Sequence, residues 1–369
     1  MRIKNTCVGI LRKIQVYLRA LLVLWRRSQI ACEPDTQIAF DIVGDLPVKQ
    51  LRSLFIIFQV AGFSVLWRAR PGKRALILAR ISDWHHNVYF MWRDPSDMTL
   101  RALCSDHIAL APRKPNKIMH LRFDYHAHLA LDDKNFGVPF PMHPQLYVQY
   151  REHEHLERYR STTRRVRILF SGNWNQDTYD NPVLTDLFGL QSRYQIMDYL
   201  RRNHLYEPIF NGSDGLMNGS GEYQNRFCAI PPGVRIDQGV WLKFMARADF
   251  FLCPPGIILP YSQNAIEAMA VGTIPLINYP NWFFPPLIDG INCIVFSSLN
   301  DLRAALERIH AMDDSEIQKM RYQVISYYNE YLDPKKCVMR WLDSPAREIT
   351  LHIWDERESA LREMFGSRT

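Results

Sequence analysis

Several features that would assign a chain to a class at sight are missing from this 369-residue sequence. It has no run of about 20 predominantly apolar residues, the length a membrane-spanning helix needs. The nearest candidate, Ile14 to Trp25, is short and is interrupted by Arg19. No Cys-x-x-Cys spacing occurs among its seven cysteines, and their number is odd. That speaks against a zinc ribbon and a disulfide framework, so a reducing, cytoplasmic compartment is expected. No Gly-x-Gly-x-x-Gly follows a strand-like run, which sets aside a dinucleotide-dependent oxidoreductase. Internal repeats and low-complexity tracts are absent too, and 47% apolar residues with 22% charged are the proportions of a globular protein.

The first 30 residues contain no acid but hold Arg2, Lys4, Arg12, Lys13, Arg19, Arg26 and Arg27. Those seven cations account for the whole formal charge of +7, since the rest of the chain has 38 basic and 38 acidic residues. A general nucleic-acid-binding surface therefore loses its support. Read as a helix, residues 1–30 put Arg12, Arg19 and Arg26 along one side and Val8, Leu11, Leu18, Leu22 and Trp25 on the other. This is the pattern of an amphipathic helix lying on an anionic membrane surface, with a self-docked helix or a signal sequence as alternatives.

After this leader, strand-like runs at Gln37 to Val43, Phe63 to Trp67, Val88 to Trp92, His107 to Leu110 and Ile118 to Phe123 alternate with helical pattern. Gly137, Pro139, Pro141 and Pro144 then precede a charged stretch to Arg165, which suggests a domain boundary. Beyond it, strands at Val166 to Phe170, Glu207 to Phe210, Asp249 to Cys253, Thr273 to Ile277 and Cys293 to Phe296 are separated by helices. The expected organisation is two α/β domains, 31–150 and 151–345, the second doubly wound, followed by a helix over 346–369 that returns toward the first.

The segment richest in chemistry runs from Asp249 through Cys253-Pro254-Pro255-Gly256 to Ser262, Asn264, Glu267-Ala268, Gly272 and Ile274-Pro275. A strand delivers the chain to Gly256, where the missing Cβ lets backbone approach a ligand. Ser262 is placed to cap a helix whose free N–H groups suit a diphosphate. Glu267, just over one turn into that helix, is positioned to accept from the vicinal hydroxyls of a ribose; the alternative is a solvated helix residue or an ion-pair partner.

This stretch resembles the donor-binding segment of GT-B glycosyltransferases, and in particular exostosin-like enzymes. The likeness extends from Val166 to Phe296 and takes in the Phe170-Ser171-Gly172-Asn173 turn and Arg193. It implies two Rossmann-like domains facing each other across a cleft, and a nucleotide-sugar donor held by Gly172, Asn173, Arg193, Pro255, Gly256, Ser262, Asn264 and Glu267. Asn264 stands where that family carries arginine, so Arg193 is the first candidate for the missing phosphate contact. No cofactor beyond the donor is implied.

Such enzymes transfer a sugar to an acceptor, here a glycan or glycolipid, with a base that takes the acceptor's proton. Asp83, Asp124 and His143 are the candidates, with His85, His86, His126 and His128 nearby in sequence. Each has a plain structural alternative. The Asp-x-Asp signature of metal-dependent transferases is absent, and no spacing specifies a metal site. A catalytically silent glycan- or nucleotide-binding module with the same fold is the competing reading.

Overall fold

The computed structural model describes residues 36–43, 48–68, 88–91, 95, 98–107, 115–124, 132–210 and 223–366. The leader, Asp83, His85, His86, His126 and His128 lie outside them. Among the described residues no helix is long and apolar enough to cross a membrane.

The chain forms two compact units. The first holds the described residues up to 124, then 132–138 and Pro334–Trp354. Its seven strands are β1 (Gln37–Asp41), β2 (Ser64–Arg68), β3 (Val88–Met91), β4 (Ala102–Ser105), β5 (Lys117–Arg122), β6 (Asn135–Gly137) and β13 (Glu348–His352), ordered β3-β2-β1-β4-β5-β13-β6. Every pairing is parallel. A parallel sheet is covered on both faces, which is why β1 is buried at all five positions. The helix Val48–Val60 lays Phe55 and Phe58 edge-on against Phe40, and Trp341 of the helix Pro334–Asp343 closes the cluster against Phe58.

The second unit is built from Pro139–Asp333 and the described residues after 354. Its strands β7 (Val166–Phe170), β8 (Glu207–Pro208), β9 (Phe227–Ala229), β10 (Ala248–Leu252), β11 (Ile274–Ile277) and β12 (Ile294–Val295) are ordered β12-β11-β10-β7-β9-β8, again all parallel. From β7 the chain crosses to β8 at one edge, returns to set β9 between β8 and β7, and then builds β10, β11 and β12 on the other side of β7. The direction of winding therefore changes between β7 and β10, and in such sheets the crevice beyond the carboxyl ends at that point is where ligands bind.

Two sequence expectations change. The stretch around Ile349, Leu351 and Ile353 is the strand β13 and not a helix, because these residues recur every second position and fill the slot between β5 and β6. Helix begins only at Glu358–Phe365, where Phe365 packs on Phe188 and Trp282. The unit boundary falls after Val138 and not near 150. Leu146, Tyr147, Leu156 and Tyr159, apolar anchors dispersed in the charged stretch, are buried in the second unit, and Arg160 Nε donates to the Ala270 carbonyl at 2.9 Å. The run expected at His107 to Leu110 lies outside the described residues beyond His107, and Ala102–Ser105 is a strand that the sequence reading did not place.

Candidate functional site

At the change of winding in the second unit lies a cavity of about 650 Å³. Ser171, Gly172 and Asn173 enter its wall from the end of β7, Pro231 to Ile236 from the turn after β9, and Gln263, Asn264 and Glu267 from the helix Gln263–Ala270 after β10. Arg193, Tyr179, Gln238, Trp241 and His143 complete it.

Arg193 is positioned by local sequence logic. Ser192 caps its helix, accepting from Gln195 N at 3.1 Å while Gln195 Oε1 accepts from Ser192 N at 3.0 Å, so Arg193 is the first helical residue. Its guanidinium stacks 4.4 Å from the Tyr179 ring centre and donates to the carbonyls of Pro255 (3.1 Å) and Asn173 (3.2 Å) and to Ser262 Oγ (3.3 Å). Three of five donors are thereby used, and no carboxylate among the described residues pairs with it. It is 7% exposed, and burial lowers its pKa from the ordinary value. The result is a desolvated cation facing a cavity with only neutral partners, an arrangement that favours an incoming anion.

Glu267 is the complementary group. It is 2% exposed; Oε1 accepts from the His143 backbone N–H at 2.8 Å and Oε2 from the Trp241 indole N–H at 2.7 Å. Burial raises its pKa above the ordinary carboxylate value, while these two donors pull the other way. The sequence alternatives of a solvated residue or an ion-pair partner do not hold: the carboxylate is buried and both of these partners are neutral N–H groups. Each oxygen keeps acceptor capacity toward hydroxyls.

Two donor-segment residues act differently from expectation. Ser262 is at the N-cap of its helix but makes no side-chain cap bond; its hydroxyl accepts from Arg193 instead. At Gly256 a Cβ would lie 2.7 Å from the carbonyl oxygens of both Leu259 and Tyr261, so the chain's own turn uses the missing side chain. Pro255 and Ser262 therefore stand behind the wall and hold Arg193 in place, while Gly256 shapes the turn between them. Asn264, where arginine was expected, donates to the Ser171 carbonyl at 3.2 Å and ties the helix to the β7 turn.

The base candidates separate. His143 belongs to the second unit, lines this cavity and caps the helix Pro144–Val148 through Nδ1, which accepts from Gln145 N at 3.4 Å. Asp124 belongs to the first unit, where it meets His352. Sequence reasoning missed the turn after β9, Tyr179 and Trp241. A signal for the first was present, since Pro231-Pro232-Gly233 repeats the Pro254-Pro255-Gly256 pattern at the end of a strand. Among the described residues no group of three or more His, Cys, Asp or Glu side chains is gathered to hold a metal ion.

No protein-family model matches the chain, and no curated protein matches it. Solved structures similar in arrangement include a glycosyltransferase from Rickettsia africae, at 8% identity and a TM-score of 0.44, covering 89% of this chain and 98% of that one. HepE from Anabaena, determined in complex with UDP and glucose, is similar at 10% identity and a TM-score of 0.35 over 83% of this chain and 98% of that one. MurG from Acinetobacter baumannii is similar at 11% identity and a TM-score of 0.30 over 90% and 99%.

Proposed function

We propose that this protein is a glycosyltransferase that takes a sugar from a nucleotide-sugar donor and passes it to a glycan or glycolipid acceptor. The observation that carries the reading is Arg193, a buried guanidinium with two unused donors in the wall of a switch-point cavity and no carboxylate partner among the described residues. Its chemistry fits a diphosphate, and the charge it offers to a departing nucleoside diphosphate is the reason the reading is metal-independent. Glu267 then takes ribose hydroxyls, and Gln238 Oε1, buried and unpartnered in the same wall, accepts an N–H of the base.

Residues 1–30 hold the enzyme on an anionic membrane surface from the cytoplasmic side in this reading, supported by their seven cations and lack of acid. The test of the donor site is calorimetry of the full chain with UDP-, GDP-, ADP- and CMP-sugars, repeated on Arg193→Gln. Loss of a charge-assisted contact worth about 1.5–3 kcal/mol weakens binding roughly 10- to 100-fold. Equal affinity in the variant removes the reading's main support.

A further inference from the structure

Among the polar groups lining the second-unit cavity, the Asn264 amide has one end tied and the other free. Asn264 is the second residue of the helix Gln263–Ala270. Its Nδ2 donates to the Ser171 carbonyl at 3.2 Å, and this contact fixes the orientation of the amide, because an oxygen turned toward that carbonyl would be repelled. Oδ1 is therefore the free end. It has no hydrogen-bond partner among the described residues and is not sealed from solvent. The cavity wall presents here an atom that only accepts.

Its neighbours narrow what this acceptor can meet. A Cβ placed on Gly172 would lie 3.5 Å from Asn264 Nδ2 and 3.6 Å from Arg193 Nη1, so the amide and the guanidinium flank the same gap at the β7 turn. Arg193 also donates to Ser262 Oγ at the start of the helix, and Glu267 follows Asn264 by three residues, about 4.5 Å along the helix axis. Asn264 thus lies between the group suited to a diphosphate and the group suited to a ribose. A diphosphate joined to a sugar at each end carries no hydrogen at neutral pH. Oδ1 opposite a phosphate oxygen would set two acceptors against each other. With the ribose hydroxyls taken by Glu267, the hydrogens left to a nucleotide sugar at this level are the O–H and N–H groups of the sugar itself.

Resting on the nucleotide-sugar reading above, we propose that Asn264 is a specificity-determining residue whose Oδ1 accepts a hydrogen bond from the transferred sugar, which lies back beside the diphosphate. Where exostosin-like enzymes carry arginine, a guanidinium could only donate; here the position only accepts. Of these two neighbours, Arg193 alone supplies charge to the phosphates, and residue 264 is released to read the sugar. One turn of helix then holds two acceptors for two different sets of hydroxyls, the sugar's at Asn264 and the ribose's at Glu267.

The experiment is calorimetry on the full chain with UDP, UDP-glucose, and UDP-glucose analogues that lack one sugar hydroxyl or the ribose 2′-hydroxyl. The matching GDP-mannose or ADP-glucose series replaces it where that nucleotide binds better. In the wild type, removal of one sugar hydroxyl weakens binding about 3- to 10-fold, the range for a hydrogen bond between neutral groups. Asn264→Ala binds the parent nucleotide sugar more weakly by a similar factor and no longer distinguishes it from that deoxy analogue. Its affinity for UDP stays within about twofold of wild type, which also shows that the variant is folded. Asn264→Arg tightens UDP binding and loses the same distinction. A wild type indifferent to every sugar hydroxyl, a preference confined to the ribose hydroxyl, or a variant that keeps the wild-type preference overturns the proposal while nucleotide binding still supports the donor site. Equal losses for UDP and UDP-glucose in both variants make Asn264 a structural residue and overturn it too. A wild type that binds none of these nucleotides overturns the underlying reading as well.

Discussion

Glu267 provides the most direct test of how the second-unit cavity is built. From sequence, Glu267→Ala is expected to weaken donor binding with little effect on folding. The structure changes the second half of that expectation, because the carboxylate is the acceptor for two N–H groups, the His143 backbone amide and the Trp241 indole. Truncation leaves both without this partner, at about 1–3 kcal/mol each, partly offset by no longer burying a carboxylate. The expected net loss is about 2–4 kcal/mol, or roughly 5–15 °C in Tm for a unit of this size. Urea unfolding followed by tryptophan fluorescence measures it directly. The pH dependence supplies a second sign. Burial raises the Glu267 pKa in the folded state, so the folded protein holds its proton longer than the unfolded chain does. Wild-type stability therefore falls as pH rises from the ordinary glutamate range through the folded pKa, and the gap between wild type and Glu267→Ala narrows over that window. Below the variant's midpoint, nucleotide-sugar binding should be roughly 10- to 100-fold weaker, from about 1.5–3 kcal/mol of lost contacts. Stability within about 0.5 kcal/mol of wild type, with an unchanged pH slope, would refute the assigned geometry.

Gly256→Ala should destabilise by about 1–3 kcal/mol, since the added methyl meets two carbonyl oxygens at 2.7 Å, and a Tm unchanged in a thermal scan would contradict the turn described. Leu351→Ala should cost about 2–5 kcal/mol, because Leu351 is fully buried on β13 between β5 and β6; a surface-like cost in urea unfolding would argue that β13 is not in the sheet. Flotation with anionic liposomes should recover the full chain but not a chain lacking residues 1–30, and recovery should fall as salt rises with the screening length. Binding indifferent to lipid charge would remove the leader's assigned role.

Much of the architecture was legible in the sequence because long-range order here follows from short-range pattern. The buried runs Val166 to Phe170 and Asp249 to Cys253, the helix after Ser262 and the alternation of strand with helix dictate parallel sheets, since such strands must be covered on both faces. Glu267 was identifiable from its place just inside the helix that follows a strand, Arg193 and Asn264 were singled out by the family resemblance, and all three line one cavity. Tertiary structure decided the rest. Whether Ile349, Leu351 and Ile353 form strand or helix depends on an open slot between β5 and β6, which no local window contains. Ser262 gives up its capping role because a guanidinium 69 residues earlier in the chain reaches its hydroxyl. Glu267 is a buried acceptor and not a solvated one because Trp241 and the His143 backbone are brought against it from 26 and 124 residues away. The sequence by itself determined the buried strands and intervening helices of the second unit and where their polar ends fall, whereas β13 was decided by the fold. Only the folded chain decided which polar groups meet, because hydrogen-bond partners are set by distance in space, and hydrophobic patterning constrains the faces of the elements rather than the contacts at their ends.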